Sequence, residues 1–348
     1  RIKPLMNPVI ENEKPEIRTV SQLSVQELTF AYPDGENIFE NISLAVKGKK
    51  RELRLITAAM LAGGHVLLED VPGTGKTLLS RSLAQSVSAD FRRIQFTPDL
   101  LPSDITGINY FNMKSQEFQL RKGPVFTNIL LADEINRATP RTQSALLECM
   151  EERQATIDGV THRLAEPFIV VATQNPVENA GVYPLPEAEL DRFLFKTSMN
   201  YPTHEECVSI LDRFDGADPL SELKPAVGRE DIIASQQQLD RVYVHRDLKD
   251  YIASLCERTR EYDNVLLGVS PRGAQSLLRA SKGFAAIDGR VYVQPDDIKR
   301  AAAPVLAHRL MLSSTARIKR GAAESIIADI LDRVPVPTER GLGYWQAK

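Results

Sequence analysis

The central part of the chain alternates short apolar runs with stretches whose apolar residues recur every three or four positions. The short runs predict strands, and the recurring pattern predicts helices. The predicted strands are 65–69, 93–96, 128–132 and 168–173, and the predicted helices are 38–60, 76–87 and 141–153. Strands that alternate with helices are typical of a mostly parallel sheet covered by helices, which is an α/β fold.

The chain changes character on either side of this central part. Beyond residue 201 the patterns predict helices alone, at 204–213, 229–238, 247–262, 272–286 and 295–309. The segment 215–225 contains Gly216, Pro219 and Pro225, which indicates a connector. Residues 1–36 are polar and interrupted by prolines, although the alternation at 28–32 is compatible with one short strand.

Length and composition agree with a globular protein of two main parts. The chain has 348 residues, of which 43% are apolar and 26% charged, and globular domains average roughly 150 residues. The predicted organisation is an N-terminal extension of unknown role at 1–37, an α/β core at 38–201, a connecting helix at 202–215, a helical domain at 216–335 and a C-terminal tail at 336–348.

Charge and cysteine content exclude several classes of protein. The formal net charge is −3, so the chain as a whole has no attraction to nucleic acid or to an anionic membrane. The cysteines at 149, 207 and 256 lie far apart, which disfavours a disulfide framework and fits a reducing compartment. The longest apolar stretch, 55–68, is too short and too interrupted to span a bilayer, and the first residues lack the apolar core of a secretory signal. We therefore expect a cytoplasmic protein.

Residues 65–77 contain the strongest candidate for a binding site. An apolar strand runs into the glycine-rich loop P-G-T-G, and a helix opens at Lys76. Glycines at 73 and 75 allow backbone amides to curl around phosphate oxygens, and the amino end of the helix adds its positive dipole. Lys76 would reach the β- and γ-phosphates of a nucleotide, and the Thr77 hydroxyl would take one Mg²⁺ position.

The strict form of this loop motif begins with a glycine, and this chain has Asp70 at that position. We interpret the difference as variation in the entry turn of the loop, because the glycines nearest the phosphates are present. The candidate nucleotide-binding residues are Asp70, Pro72, Gly73, Thr74, Gly75, Lys76, Thr77 and Leu78.

A second apolar strand, 128–132, is followed directly by Asp133 and Glu134. A carboxylate at a strand end can hold Mg²⁺ through water, and the next carboxylate can orient and deprotonate a water that attacks the γ-phosphate in line. The pair begins 57 residues after Lys76, within the same alternation of strands and helices. Thr77 and Asp133 are therefore the candidate metal residues, and Glu134 is the candidate catalytic base.

Further polar residues could complete such a site. Asn175 follows the strand 168–173 and could hydrogen-bond the γ-phosphate or the attacking water, although an Asn before Pro176 is also a common start of a turn. Arg192 is expected on a short helix before Phe195, where it could equally be a solvated surface residue. Neither residue alone decides between these interpretations.

Taken together, these elements resemble the MoxR family of AAA+ ATPases. The motifs that carry the resemblance are M-L-A-G-G-H-V-L-L-E-D-V-P-G-T-G-K-T (60–77), D-E-I-N-R-A (133–138), T-Q-S-A-L-L-E-C-M-E-E-R (142–153), A-T-Q-N-P (172–176), Y-P-L-P-E-A-E-L-D-R-F (183–193) and S-P-R-G (270–273). They cover the chain from about 39 to 335 but do not reach residues 1–37. The resemblance implies a P-loop AAA+ core with a parallel sheet, a helix-2 insertion, a second hairpin insertion and an all-α lid domain.

The resemblance also implies roles for single residues. Lys76 and Thr77 belong to the Walker A loop, and Asp133 and Glu134 to Walker B. Asn175 resembles the first sensor of the family. The cofactors implied are ATP and Mg²⁺.

Arginines are implied at the interface between subunits. Arg192 resembles the arginine finger that completes the site of a neighbouring subunit. Arg272 resembles the second sensor on the helical lid, which in this branch serves either its own nucleotide or the neighbour's. Arg137, just after Walker B, is a second candidate for acting on the neighbour.

The insertions are expected at 98–126 and 153–164, and the second has an Asp–Gly pair as its turn. In hexameric relatives such hairpins face the central pore, where they could contact a client. Lys114, Arg121 and Lys122 are expected on the first hairpin, and a solvated basic loop explains them equally well.

The function implied is Mg²⁺-dependent ATP hydrolysis by a ring, expected to be a hexamer, that acts as a chaperone or remodeller in the maturation of partner proteins. A protein client and a von Willebrand A-domain protein are the implied partners. A nucleic-acid motor of a related AAA+ branch is one alternative, which the balanced charge and the lack of an aromatic–basic stripe disfavour. A nucleotide-gated assembly switch is another, which Glu134 disfavours because a pure binding module needs no catalytic base.

Overall fold

A computed structural model of the chain describes residues 49–69, 74–175, 181–199, 201–214, 223–319 and 321–337, together with 42, 46 and 220. The N-terminal extension, with its expected strand at 28–32, and most of the expected connector at 215–225 lie outside the described residues. The same holds for most of the first half of the helix expected at 38–60.

The part of the chain up to Ser198 alternates helices with strands. Its helices are α1 (Lys50–Leu61), α2 (Lys76–Ser86), α3 (Pro102–Thr106), α4 (Pro140–Glu152) and α5 (Glu187–Leu190). Its strands are β1 (Val66–Glu69), β2 (Phe91–Gln95), β3 (Gly107–Asn112), β4 (Glu117–Lys122), β5 (Ile129–Asp133), β6 (Gln154–Ile157), β7 (Val160–Arg163), β8 (Ile169–Gln174) and β9 (Phe195–Ser198). The strands expected at 65–69, 93–96, 128–132 and 168–173 are present as β1, β2, β5 and β8, and β9 is an addition that the sequence did not predict.

The later part of the chain is mainly helical. Its helices are α6 (His204–Phe214), α7 (Arg229–Gln238), α8 (Arg246–Glu261), α9 (Pro271–Ile287), α10 (Pro295–Leu306), α11 (Ser314–Arg317) and α12 (Ala322–Arg333). The expectation of helices alone is wrong where β10 (Val265–Leu267) pairs with β11 (Met311–Leu312). Apolar runs this short do not distinguish a strand from a helix by periodicity. None of the described helices is long and apolar enough to cross a bilayer.

Within the described residues, five strands form a parallel sheet in the order β2-β5-β8-β1-β9. Ala132 of β5 pairs with Ala172 of β8, and Val66 of β1 pairs with Val171 of β8. This register aligns the carboxyl ends of the central strands along one edge of the sheet. The loops that follow these strands therefore meet at that edge.

Successive side chains of the central strands fill separate cores on the two faces of the sheet. Leu130 and Val170 face the core that contains Leu146 of α4. Leu131 and Val171 face the other core, which continues into the helical part of the chain. Strands covered on both faces are typical of parallel sheets, and they leave the edges as the place for polar chemistry.

Antiparallel hairpins interrupt the α/β alternation at the expected positions. β3 and β4 follow the short helix α3, and β6 and β7 follow α4. In the second hairpin Asp158 and Gly159 have φ of 48° and 79°, the left-handed pair that a tight two-residue turn requires. The Asp–Gly pair in the sequence predicted this turn.

The helical part packs on the α/β part through α1 and α9. Gly283 of α9 lies against α1, where a Cβ atom would come 3.0 Å from the Ala58 carbonyl oxygen. The rings of Phe284 and Phe195 lie 6.0 Å apart, which joins α9 to β9. One apolar core therefore runs from the sheet into the helices.

His65, immediately before β1, is buried at the amino-terminal edge of the sheet. The Val170 N–H donates to its Nδ1 at 2.9 Å, so Nε2 carries the proton and donates to the Met150 carbonyl at 3.1 Å. Burial lowers the pKa of His65 to about 3, and the positive charge of Arg153 acts in the same direction. The neutral imidazole therefore joins β8 to the end of α4.

We expect His65 to make the stability of the protein depend on pH. In the unfolded chain its pKa is 6.5, so between pH 6.5 and about 3 the unfolded state binds a proton that the folded state excludes. The free energy of unfolding should therefore fall as the pH drops through this window. From this residue alone the loss at pH 5 should be about 2 kcal/mol.

Urea unfolding at pH 7 and at pH 5 tests this expectation. Because glutamine gains no proton in this range, His65→Gln should lose about 2 kcal/mol less than the wild type between the two pH values. The control is His204→Gln, which removes an imidazole that is exposed in the folded protein. Parallel losses in the wild type and His65→Gln would contradict the interpretation.

Candidate active site

Helix α2 begins at the carboxyl-terminal edge of the sheet. Gly75 precedes it with a left-handed backbone, φ 89°, which glycine adopts without strain. Lys76 and Thr77 form its first turn and are half-buried, and this fully described turn contains no acidic residue. The first N–H groups of a helix have no partner within the helix, so this end of α2 presents positive charge.

The structure describes the expected nucleotide-binding loop only from Thr74 onward. Asp70, Pro72 and Gly73 lie outside the described residues. Thr74 and Leu78 are half-buried on either side of the start of α2. The described half of the loop thus has the strand–loop–helix context that the sequence predicted.

Asp133 ends β5 and is held by side chains of both neighbouring strands. The Thr173 hydroxyl of β8 donates to Asp133 Oδ1 at 2.6 Å. On the other side, Arg93 Nη2 of β2 donates to Asp133 Oδ2 at 2.6 Å. The carboxylate is therefore fixed at the edge of the sheet with its oxygens in defined positions.

Glu134 follows in a left-handed backbone conformation, with φ 57° and ψ 49°. For a residue with a side chain this conformation costs about 1–2 kcal/mol. The Thr173 hydroxyl accepts the Glu134 N–H at 2.8 Å. Gln95 Nε2 donates to Glu134 Oε2 at 2.7 Å, and Arg137 Nε lies 3.1 Å from the same oxygen. Strain and hydrogen bonds together set the direction of this carboxylate.

The same edge carries the other residues expected around the phosphates. β8 lies between β1 and β5, so the carboxyl ends of β1 and β5 are two strand spacings apart, about 10 Å. Asn175 follows β8 and is buried, and its carbonyl accepts from Asn136 Nδ2 at 3.4 Å. The structure thus brings Lys76, the carboxylate pair and Asn175 to one edge of the sheet.

Arg192 lies at the opposite, amino-terminal edge. The expected short helix is α5, which ends at Leu190, so Arg192 is in the turn after the helix and not on it. The Leu194 N–H donates to the His65 carbonyl at 2.9 Å, directly before β1 begins. Lys76 follows the other end of β1. The length of β1 therefore separates Arg192 from the Lys76 of its own chain.

Arg272, at the start of α9, lies beside Arg192. Arg192 Nη1 is 3.0 Å from Glu151 Oε2, and Arg272 Nη2 donates to Glu151 Oε1 at 3.1 Å. Arg137, by contrast, contacts Glu134 at the carboxyl-terminal edge. The structure therefore groups the expected arginine finger, Arg192, with the expected second sensor, Arg272, and has Arg137 at the other edge.

A cavity of about 300 Å³ opens at this arginine cluster. Its charged lining residues are Arg153, Arg192, Arg272, Arg279, Arg309, Glu151 and Asp191. The side chain of Arg309 is 3% exposed, and its Nε donates to Asp191 Oδ1 at 2.6 Å. Burial lowers the pKa of Arg309, and the charge of Asp191 opposes that effect. Arginines outnumber carboxylates in this lining, so the cavity suits an anion.

Comparison with known proteins identifies the family. Residues 65–195 match the model of the ATPase family associated with various cellular activities, and residues 257–330 match that of the AAA lid domain. The chain is 40% identical over 309 residues to the chaperone MoxR1 of Mycobacterium tuberculosis, across 86% of this chain and 81% of that protein. The chain belongs to the MoxR family of AAA+ ATPases. It is an ATPase, and the predicted AAA+ fold with a helical lid is confirmed.

Two further proteins are similar to this chain over most of its length. An uncharacterized Bacillus subtilis protein, YeaC, is 50% identical over 301 residues, which are 86% of this chain and 94% of that protein. A crystal structure of a suggested ATPase from Cytophaga hutchinsonii superposes with a TM-score of 0.81 at 39% identity, across 86% of this chain and 94% of that one. The similarity thus covers the α/β core and the lid together.

Several residues of the site were missed by sequence reasoning. They are Gln95, Glu151, Thr173 and Arg309. The sequence contains a signal for Thr173, because it is a polar residue within an apolar strand that lies next to the strand ending in Asp133. Glu151 lies inside a quoted family motif, but its contacts with two distant arginines follow only from the fold.

We expect Thr173→Val to impair both the stability and the ATPase activity of this MoxR-family protein. Valine has the shape of threonine without the hydroxyl, so the Glu134 N–H and Asp133 Oδ1 lose their shared partner. A buried polar group without a partner costs about 1–3 kcal/mol. Urea unfolding and ATP turnover are the measurements.

The matched control is Thr173→Ser, which keeps the hydroxyl and should retain most of the activity. Its loss of a methyl group should cost stability alone. If Thr173→Val turned over ATP at the wild-type rate, the hydroxyl would have no part in orienting the carboxylates.

Proposed function

We propose that this chain hydrolyses ATP with Mg²⁺ at the carboxyl-terminal edge of its sheet, in a hexameric ring of subunits. The observation that carries the proposal is the position of Asp133 and Glu134 across β8 from the loop that opens α2. Carboxylate and hydroxyl oxygens are the donors that Mg²⁺ prefers, and an uncapped helix amino end suits phosphate. The residues present therefore fit a magnesium nucleotide.

In this proposal Lys76 contacts the β- and γ-phosphates, and Thr77 and Asp133 hold the metal ion. Bound Mg²⁺ would neutralise charge on the phosphates. Thr173 and Arg93 keep Asp133 in place for this role. The remaining residues of the phosphate loop would be Asp70, Pro72, Gly73, Thr74, Gly75 and Leu78.

Glu134 is proposed as the base. It would accept a proton from the water that attacks the γ-phosphate, while Asn175 orients that water or the phosphate. Gln95 and Arg137 both contact Oε2 of Glu134, which supports a fixed direction for the carboxylate. This contact supports a proposal that Arg137 holds the base of its own subunit, whereas the sequence suggested action on a neighbour.

Arg192 and Arg272 are proposed to act on the nucleotide of the neighbouring subunit. Their position at the amino-terminal edge, away from the Lys76 of their own chain, supports this assignment. The surplus of arginines around the cavity supports an anionic ligand at this face. A ring of subunits would bring each arginine cluster to the next carboxyl-terminal edge.

The name of one relative, the chaperone MoxR1, supports a protein as the client. The β3–β4 hairpin exposes Phe111, Met113 and Phe118 at 47%, 81% and 75%, and such apolar groups suit contact with an apolar protein segment. Lys114 and Arg121 of the same hairpin are also exposed.

Measuring ATP turnover with and without single-stranded DNA separates action on a protein client from the role of a nucleic-acid motor. A partner with a von Willebrand A domain is part of the same proposal, on the family resemblance alone.

The catalytic assignment predicts different defects for two variants. Lys76→Ala should lose nucleotide binding, because the phosphates lose their point-charge partner. Glu134→Gln should bind a fluorescent ATP analogue normally and hydrolyse ATP far more slowly, because the amide accepts no proton. Turnover by Glu134→Gln at the wild-type rate would show that another group is the base.

The assembly assignment predicts complementation between inactive subunits. Arg192→Ala should bind ATP but lose roughly 10³-fold or more in rate, because an arginine finger neutralises charge in the transition state. A mixture of Arg192→Ala with Lys76→Ala should regain activity, since some interfaces then pair an intact arginine with an intact loop. A mixture without any gain, or full activity in a dilute monomeric sample, would rule out action between subunits.

A further inference from the structure

Glu151 contacts both arginines of the cluster at once. It lies near the end of α4, where Oε2 is 3.0 Å from Arg192 Nη1 and Oε1 accepts from Arg272 Nη2 at 3.1 Å. Arg192 belongs to the α/β core, and Arg272 belongs to the first turn of lid helix α9. One carboxylate therefore links the core arginine to the lid arginine.

Each arginine has a second anchor besides Glu151. Arg192 Nη1 also donates to the Leu147 carbonyl at 2.8 Å. Arg272 Nε lies 3.5 Å from Asp191 Oδ2, and the buried Arg309 holds the other oxygen of Asp191. These contacts hold each guanidinium group in its own position, and Glu151 fixes the distance between the two groups.

The ion pairs of Glu151 are too exposed for a contribution to folding stability to explain them. The side chains of Arg192, Glu151 and Arg272 are 30%, 35% and 53% exposed. Ion pairs at such positions add little to folding stability. Two guanidinium groups without a carboxylate between them would repel each other and separate. The geometry is better explained by a need to keep the two groups together.

We propose that Glu151 is a positioning residue that presents Arg192 and Arg272 as a pair to the nucleotide of the neighbouring subunit. The proposal rests on the action between subunits proposed above. Arg272 is on the lid, whereas Arg192 and Glu151 are on the core. The arginine pair therefore forms only when the lid brings Arg272 to Glu151. Hydrolysis in one subunit would then depend on the lid position of the next.

The test compares Glu151→Gln with Glu148→Gln. Both variants remove one negative charge from α4, and Glu148 is an exposed residue one turn earlier. Glu151→Gln keeps the side-chain size but loses the carboxylate that the arginines share. A misplaced catalytic group costs about 10- to 100-fold. We expect kcat to fall by about that factor in Glu151→Gln, with unchanged binding of a fluorescent ATP analogue, and to stay near the wild-type value in Glu148→Gln.

Mixing experiments show on which side of the interface Glu151 acts. Glu151→Gln mixed with Lys76→Ala should gain activity per Glu151→Gln subunit, because Lys76→Ala neighbours supply intact arginine pairs. Glu151→Gln mixed with Arg192→Ala should gain none, because both subunits lack a proper pair. Adding Glu151→Gln to Arg192→Ala in one chain should cause little further loss, since the two residues act together.

Wild-type kcat in Glu151→Gln, or a gain of activity when it is mixed with Arg192→Ala, would overturn the proposal. An equal loss in Glu148→Gln would also overturn it, since charge alone would then explain the effect. If Arg192→Ala and Lys76→Ala fail to complement each other, both the action between subunits and the role of Glu151 are contradicted. If these two variants complement each other while Glu151→Gln is fully active, only the role of Glu151 is contradicted.

Discussion

The site of this ATPase depends on the parallel pairing of strands that are covered on both faces. Because β1, β5 and β8 place their apolar side chains in cores on either side, polar groups emerge where strands begin or end. Parallel pairing collects the carboxyl ends at one edge and the amino ends at the other. The carboxylates Asp133 and Glu134 lie at the first edge, and the arginine cluster around Glu151 lies at the second. Two separate groups of charged residues on one sheet are a consequence of this pairing.

The features that sequence predicted are local in the chain. Gly75, Lys76 and Thr77 follow a strand and open a helix within a few residues, so their spacing fixes their relation to each other. Asp133 and Glu134 stand directly after an apolar run whose burial follows from its composition. The Asp–Gly turn of the second hairpin needs only its own backbone preferences. The geometry of such features depends on neighbouring residues in the sequence and not on contacts with distant segments.

The features that sequence missed depend on pairing between distant segments. Thr173 reaches Asp133 because the register of β5 and β8 sets them side by side, and Gln95 reaches Glu134 from the other neighbouring strand. The strand β9 and the β10–β11 ribbon were missed because runs of two to four residues have no periodicity to read. The contacts of Glu151 require the lid to be folded onto the core, which no local pattern encodes.

The contact between lid and core combines a rigid part with an adjustable one. Arg309 is buried and donates to Asp191 and to the Phe193 carbonyl, and leaving a buried charge such as Arg309 without its partner costs up to about 3–5 kcal/mol. The exposed pairs of Glu151 contribute only about 0–1 kcal/mol each. Lid and core therefore stay joined at Arg309, while a small movement of the lid can break the contact between Arg272 and Glu151 at little cost. The contact that holds lid and core together is thus separate from the contact that sets the spacing of Arg192 and Arg272.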